Sequence, residues 1–231
     1  MELTRRGFIT GATGLAAGGA LALVGALPAL AVSHPTLRYG SRGAAVVTLQ
    51  RRLNALRYWC GAADGVFGGL TQQAVLAIQK VAGLVRDGIC GPVTWSRLDA
   101  GVRAGPRTRS GYWVEIDKRH QVLLVVDNGR LRHALATSTG SGKWFRYGSR
   151  WLRAVTPSGS FRVTRSVNGW DYGPLGGLYR PMYFNGGIAV HGFGSVPAYP
   201  ASHGCCRVSL GAMDMLWRTR EITVGRRVLV Y

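Results

Sequence analysis

The chain has 231 residues, with 29 Lys and Arg against 10 Asp and Glu, a formal net charge of +19 at pH 7. That excess predicts attraction to a polyanion, although charge alone also aids solubility. The basic residues are mostly Arg and scattered, with no single run, which excludes a specific nucleic-acid footprint.

Residues 1–31 read as an export signal. "MELTRRGFIT" carries Arg5 and Arg6 ahead of an apolar run, Phe8 to Ala31, rich in Gly and Ala. Ala29 and Ala31 supply the small residues of a cleavage site, and the Arg pair is of the twin-arginine kind. The run is long enough to span a bilayer, so an uncleaved anchor is the alternative. Its five glycines favour cleavage, which leaves no stable membrane span. Cleavage removes only Glu2, Arg5 and Arg6, so the basic excess persists. For an exported chain the polyanion is an anionic cell-wall polymer or a membrane surface.

Residues 38–100 read as a small helical domain. Val46, Leu49, Leu53 and Leu56 share one helix face, as do Ala74, Val75, Ile78 and Val81. Pro92 suits a first helical position, and Gly101 ends that helix. An internal repeat lies between them. "DGVFGGLT" (64–71) and "DGICGPVT" (87–94) share Asp-Gly-x-x-Gly-x-x-Thr, 23 residues apart. Asp-Gly makes a tight turn, and the second Gly and the Thr suit a helix opening. The stretches "LRYGSRGAAVVTLQRRLNAL", "TQQAVLAIQ" and "GLVRDGICGPVTW" resemble the peptidoglycan-binding type 1 domain. The resemblance implies a three-helix module that anchors cell-wall proteins. Cys60 follows the first helix and Cys90 sits in the second turn motif, and an exported chain permits a disulfide between them. Closing a loop of about 30 residues is worth roughly 3–4 kcal/mol in the chain-entropy model.

Residues 101–111 are Gly-, Pro-, Arg- and Ser-rich with no apolar period, and read as a linker. From 112 to 231 the pattern is mostly β. "YWVEIDKRHQVLLVVDNGRLRHALATS" suggests strands joined by a hairpin turn at "DNGR". "GSFRVTRSV", "GGIAVHGF", "CCRVSL" and "RRVLVY" are further short β runs. "SLGAMDMLWRT" reads as a helix capped by Ser209. The Gly-rich, aromatic regions 139–160 and 167–181 read as long loops, which often carry function. The whole is an α plus mostly β chain of two domains: a small three-helix bundle, then a β-rich domain.

Two of the four cysteines stand side by side in "PASHGCCRVSL". A thiol near pKa 8.5 needs a base or positive charge beside it to act as a nucleophile. His203, Arg207 and, 14 residues upstream of Cys205, His191 are available. If 203–208 is extended, His203, Cys205 and Arg207 point one way. Cys206 and Val208 then point to the core, which leaves Cys205 as the reactive thiol and Cys206 as a filler.

"HGFGSVPAYPASHGCCRV" resembles the active-site signature of the YkuD-like L,D-transpeptidase catalytic domain, with support from "TPSGSFRV" and "MYFNGGIAVHG". The resemblance covers about 112–231. It implies Cys205 as nucleophile and His191 as general base, oriented by the main-chain carbonyl of Gly192. It also implies that His203 and Ser202 shape the site, and that Gly204 admits the acyl group. The amides near Gly204 and Cys205 become candidate oxyanion donors. Arg207 organises the site or meets a substrate carboxylate. Tyr183 and Met182 are taken as pocket-lining residues. The implied reaction belongs to cell-wall biogenesis. A Cys205 thioester forms on a peptidoglycan stem peptide and is resolved by a second stem as a 3→3 cross-link, or by water as in an L,D-carboxypeptidase. No cofactor and no metal are required.

Other readings remain. A zinc site would use His191, His203 and the cysteines, but adjacent cysteines match zinc-ligand spacing poorly. A papain-like endopeptidase would place Cys before His; here the order is reversed. A non-catalytic wall-binding protein would lack part of the motif, and none is missing. His133, without such context, reads as a surface residue.

Overall fold

In the computed structural model, which describes residues 34–231, the apolar spacing of the first segment becomes three helices. The export-signal expectation for 1–31 lies outside the described residues. Helix α1 (Ala44–Ala55) buries Val46, Leu49 and Leu53. Helix α2 (Gly69–Val81) buries Ala74, Val75 and Ile78. Helix α3 (Pro92–Asp99) starts on its proline and buries Trp95 and Leu98.

The repeat has a physical centre that its spacing does not reveal. Gln50, buried on α1, donates from Nε2 to Asp64 Oδ1 (2.8 Å), Val66 O (3.1 Å) and Thr71 Oγ1 (3.0 Å). Its Oε1 accepts from Gly65 N (2.9 Å). Gln79, buried on α2, repeats the pattern with Asp87 Oδ1 (2.7 Å), Ile89 O (2.9 Å), Thr94 Oγ1 (3.2 Å) and Gly88 N (2.9 Å). The threonines therefore clamp glutamines. The helix N-caps are Gly68 and Gly91, which make no side-chain cap bond.

The disulfide expected between Cys60 and Cys90 is not formed: both are free and buried. Cys90 holds the repeat position of Phe67 and, like that ring, fills the core. The Cys60 thiol contacts Gln50 O at 3.5 Å. Burial pushes each thiol up to about 12, so both are packed as neutral apolar groups.

The β domain begins as an antiparallel meander of β1 (Tyr112–Asp117), β2 (Val122–Asp127) and β3 (Arg130–Ala136). Two later strands, β12 (Arg227–Val230), parallel to β1, and β6 (Gly159–Arg162), complete the sheet in the order β3-β2-β1-β12-β6. A second sheet runs β11 (Cys206–Ser209), β10 (Ile188–Phe193), β9 (Gly176–Asn185) and β7 (Arg165–Ser166), with β8 (Trp170–Gly173) also paired to β9. Helix α4 (Leu210–Arg218) packs on this sheet. Ser209 caps it, its hydroxyl accepting from Ala212 N at 3.3 Å.

Regions 139–160 and 167–181 are not loops. They hold the isolated hairpin β4 (Trp144–Tyr147) and β5 (Arg150–Arg153), and the β8–β9 hairpin. The β4–β5 pair stands apart from both sheets, whereas β9 runs on into the second sheet between β10 and β7.

The apolar run of β2 is buried on both faces. Val122, Leu124 and Val126 pack with the three helices. Leu123 and Val125 pack with the second sheet and α4. Lys80 of α2 is fully buried in the helix-to-sheet seam and donates to Gln121 O (3.2 Å) and Thr137 O (2.9 Å). The linker is irregular but pinned: buried Glu115 accepts from Arg107 N (3.0 Å) and Thr108 N (2.8 Å). Helical and β parts together form one compact unit. His133, expected at the surface, is half-buried, with Nε2 3.4 Å from Glu221 Oε1, and burial lowers its pKa to about 4. Among the described residues no helix is long and apolar enough to cross a membrane.

Candidate active site

Parallel pairing of β10 with β11 sets His191 beside Arg207 and Val190 beside Cys206. Cys205 is the residue through which the chain enters β11. A cavity of about 600 Å³ opens here, and His191, Ser202, His203, Gly204, Cys205 and Arg207 all line it. These six residues from two segments are brought together as one wall.

The turn carrying Cys205 is held by its neighbours' polar groups. Ser202 Oγ donates to Cys205 O and accepts from Gly204 N at 3.0 Å. Thr156 Oγ1 donates to Gly204 O at 2.6 Å. Gly204 has φ +145°, and a Cβ there would stand 3.1 Å from Val155 O. Only glycine takes that backbone shape without strain. Residues 203–205 are bent rather than extended, yet the alternation holds: Cys206 and Val208 are buried in the core between the sheets. Because Gly204 N is engaged by Ser202, the Cys205 amide is the remaining oxyanion candidate of the two.

His191 is 2% exposed. Its Nδ1 lies 2.9 Å from Gly192 O. A carbonyl only accepts, so Nδ1 carries the hydrogen and Nε2 keeps a lone pair. Burial lowers the imidazole pKa to about 4, against the pull of the Gly192 bond and helped by the Arg207 charge. The ring is therefore neutral at neutral pH. Gly192 has no room for a side chain: a Cβ would meet Tyr179 Cδ1 at 2.8 Å and Met213 Cβ at 3.1 Å.

Burial also raises the Cys205 pKa, opposed by the Ala189 amide and the Arg207 charge. Ala189 N–H points at Cys205 Sγ (3.5 Å), and Sγ lies 3.7 Å from Gly187 O. At rest the site holds a neutral thiol and a neutral imidazole. Loss of the thiol proton would create an anion facing an N–H group and a guanidinium. Arg207 stacks with its Cζ 4.3 Å over the Phe193 ring, and its buried Nε has no partner. His203 is exposed and meets Phe145 edge-on, ring centroids 4.6 Å apart.

Tyr183 lines the cavity, but Met182 does not; Met182 is 2% exposed in the core. Neighbours on β9 face opposite ways, so the two cannot both reach the cavity. Sequence reasoning missed Asp171 and Arg165, which share that wall. Tyr183 Oη donates to Asp171 Oδ2 (2.7 Å), and Arg165 stacks 3.8 Å over the Tyr183 ring. It also missed Thr156, the first residue of "TPSGSFRV", as the clamp on the nucleophile turn. Among the described residues no group of three or more His, Cys, Asp or Glu is placed to hold a metal ion.

Comparison with known proteins places both parts of the chain in known families. Residues 42–98 match the peptidoglycan binding domain family, and residues 111–230 match the L,D-transpeptidase catalytic domain family. The crystal structure of an L,D-transpeptidase from Xylanimonas cellulosilytica is 48% identical, covers 87% of this chain and 98% of that one, and superposes with a TM-score of 0.82. An L,D-transpeptidase from Stackebrandtia nassauensis shares the fold at 21% identity and TM-score 0.50, over 86% of this chain and 96% of that one. The amidase CwlM of Mycobacterium tuberculosis is 47% identical over 53 residues, 23% of this chain and 13% of its own length. An uncharacterized protein of Kitasatospora aureofaciens is 46% identical over 68 residues, 29% of this chain and 58% of that protein. The chain thus spans 58% and 13% of the length of these two curated relatives. With Cys205 at the entry to β11 and His191 within the neighbouring β10, and a match over more than half its length, the chain belongs to the L,D-transpeptidase catalytic domain family and carries a peptidoglycan-binding domain ahead of that catalytic domain.

Proposed function

We propose that this chain is an exported, cysteine-dependent L,D-transpeptidase that forms 3→3 cross-links between peptidoglycan stem peptides. The observation that carries the reading is the shared cavity wall of Cys205 and His191, with Ala189 N–H at the sulfur. His191 Nε2 takes the Cys205 proton as Sγ attacks the carbonyl of the third stem residue. The C–N bond to the terminal D-Ala breaks, the amine leaves with the proton from His191, and a thioester remains. The amine of a second stem then attacks, His191 accepts its proton, and an amide forms as the thiol is restored. Water in the amine's place gives an L,D-carboxypeptidase. Arg207 positions the site and favours the thiolate, Ser202 and Gly204 shape the nucleophile turn, and His203 lines its mouth. The helical module and the basic surface hold the enzyme on the wall's anionic polymers, with Arg5 and Arg6 in the export signal.

The test is incubation with a carbapenem followed by intact-mass measurement. A covalent adduct is expected on wild type and on Cys206→Ala, and none on Cys205→Ala. An adduct retained by Cys205→Ala would overturn the nucleophile. With a tetrapeptide donor and an added diamino acid, the cross-linked and hydrolysed products separate the two acceptors.

A further inference from the structure

The β4–β5 hairpin has two unlike faces. Its register pairs Phe145 with Leu152 and Tyr147 with Arg150, and Trp144 with Arg153 and Arg146 with Trp151. Paired residues share a face, and successive pairs alternate. Phe145, Tyr147 and Leu152 line the Cys205 cavity. The other face is a ladder of Trp144, Arg146, Trp151 and Arg153. Its tryptophans are 66% and 65% exposed. No acidic residue stands between Asp127 and Asp171.

Two exposed tryptophans placed diagonally on one face of a short ladder are not needed for packing, and such a patch marks a contact surface. The track continues. Trp144 borders a second cavity of about 290 Å³ beside His203, and Tyr199, 65% exposed, borders it too. The hairpin base is fixed to the nucleophile turn. Ser141 N donates to Ser202 O (2.9 Å), and Gly140 N to Thr156 Oγ1 (2.9 Å), the same hydroxyl that holds Gly204.

We propose that the Trp144/Trp151 face of the hairpin, continued by the second cavity and Tyr199, is a binding track for the peptidoglycan glycan strand whose stem peptide enters the Cys205 cavity. The inference rests on the reading of the substrate as a stem peptide. Reach supports it. Three extended residues span about 10 Å, so a stem with its third carbonyl at Cys205 brings its sugar within that distance. The hairpin stands there, since Phe145 touches His203 and Trp144 is its chain neighbour. Flat indole faces suit the apolar faces of sugar rings, and Arg146 and Arg153 suit hydroxyls and the stem's carboxylates. A lipid surface would also attract Trp and Arg. A flat lipid surface cannot enter the second cavity that Trp144 borders beside His203, whereas a linear strand can.

The full-length chain and its Trp144→Ala/Trp151→Ala variant are compared on three probes: free tetrapeptide, glycan strands bearing tetrapeptide stems, and glycan strands stripped of stems. The helical module is common to both proteins, so its own wall affinity cancels. The expected result is unchanged carbapenem acylation and unchanged kcat/KM on free tetrapeptide. On glycan-linked stems kcat/KM falls about tenfold through KM, and Kd for stripped glycan rises about tenfold. Equal losses on free and linked peptide would make the hairpin a cavity wall only and overturn the track. So would unchanged glycan affinity, or tryptophan-dependent binding confined to anionic phospholipid vesicles. If no tetrapeptide acylates Cys205, the transpeptidase reading fails, and the stripped-glycan affinities still decide the track.

Discussion

The glutamine-centred turns of the helical module and the Cys205–His191 site both bury polar groups, and they treat them oppositely. Gln79 meets four partners, between 2.7 and 3.2 Å. His191 makes one side-chain hydrogen bond, to the next residue's carbonyl, and the Cys205 sulfur has only long contacts. A fully satisfied network rigidifies a fold, whereas a buried group with unused capacity, aimed into a cavity, is held ready for a substrate. The three other cysteines make the same point. Cys60, Cys90 and Cys206 are walled in and pushed far up by burial, whereas Cys205 alone lines a cavity.

The largest expected effect breaks the chemical side of this comparison alone. Cys205→Ala removes tetrapeptide turnover, and His191→Ala lowers kcat/KM by about 10²–10⁴-fold, with the cooperative thermal transition retained. Next comes pH. An unfolded His takes its proton near 6.5, while folded His191 takes it near 4. Stability is therefore full above pH 6.5 and falls as pH drops from 6.5 toward 4, by about 3 kcal/mol from this group. The acid limb of kcat/KM should lie below 6.5 for the same reason. His133, also lowered to about 4, steepens the acid unfolding, so His133→Gln should soften the melting-temperature drop and leave the rate profile in place.

A smaller effect tests the structural side. Gln79→Leu strands the buried Gly88 N–H and should cost about 2–3 kcal/mol of unfolding free energy in denaturant titration, with carbapenem acylation of the folded protein unchanged. If acylation fell in step with stability, the contrast between the two regions would collapse. The smallest is Cys206→Ala, expected to cost about 1 kcal/mol of packing and no activity.

Much of this was legible in the chain. The helix faces, the Asp-Gly repeat, the β texture after residue 112 and the asymmetry of Cys205 and Cys206 all rest on local periodicity. Each partner there is a fixed number of residues away. The glutamines escaped because the offset differs: Gln50 lies 14 residues before its Asp, Gln79 only 8. Asp171 and Arg165 escaped because a hairpin delivers them to Tyr183. The two regions read as loops hold hairpins, because strand pairing depends on partners that the local Gly-rich, aromatic composition does not show.

The sequence by itself determined the family, the nucleophile candidate and the two-part organisation, because motif spacing and side-chain alternation need no knowledge of distant contacts. Tertiary structure alone decided that Cys60 and Cys90 pack rather than bridge, that Tyr183 reaches the cavity while Met182 fills the core, and that β2 is covered on both faces. Those outcomes depend on which surfaces meet across the fold. Burial and the direction a side chain faces are properties of that meeting, not of any one stretch of chain.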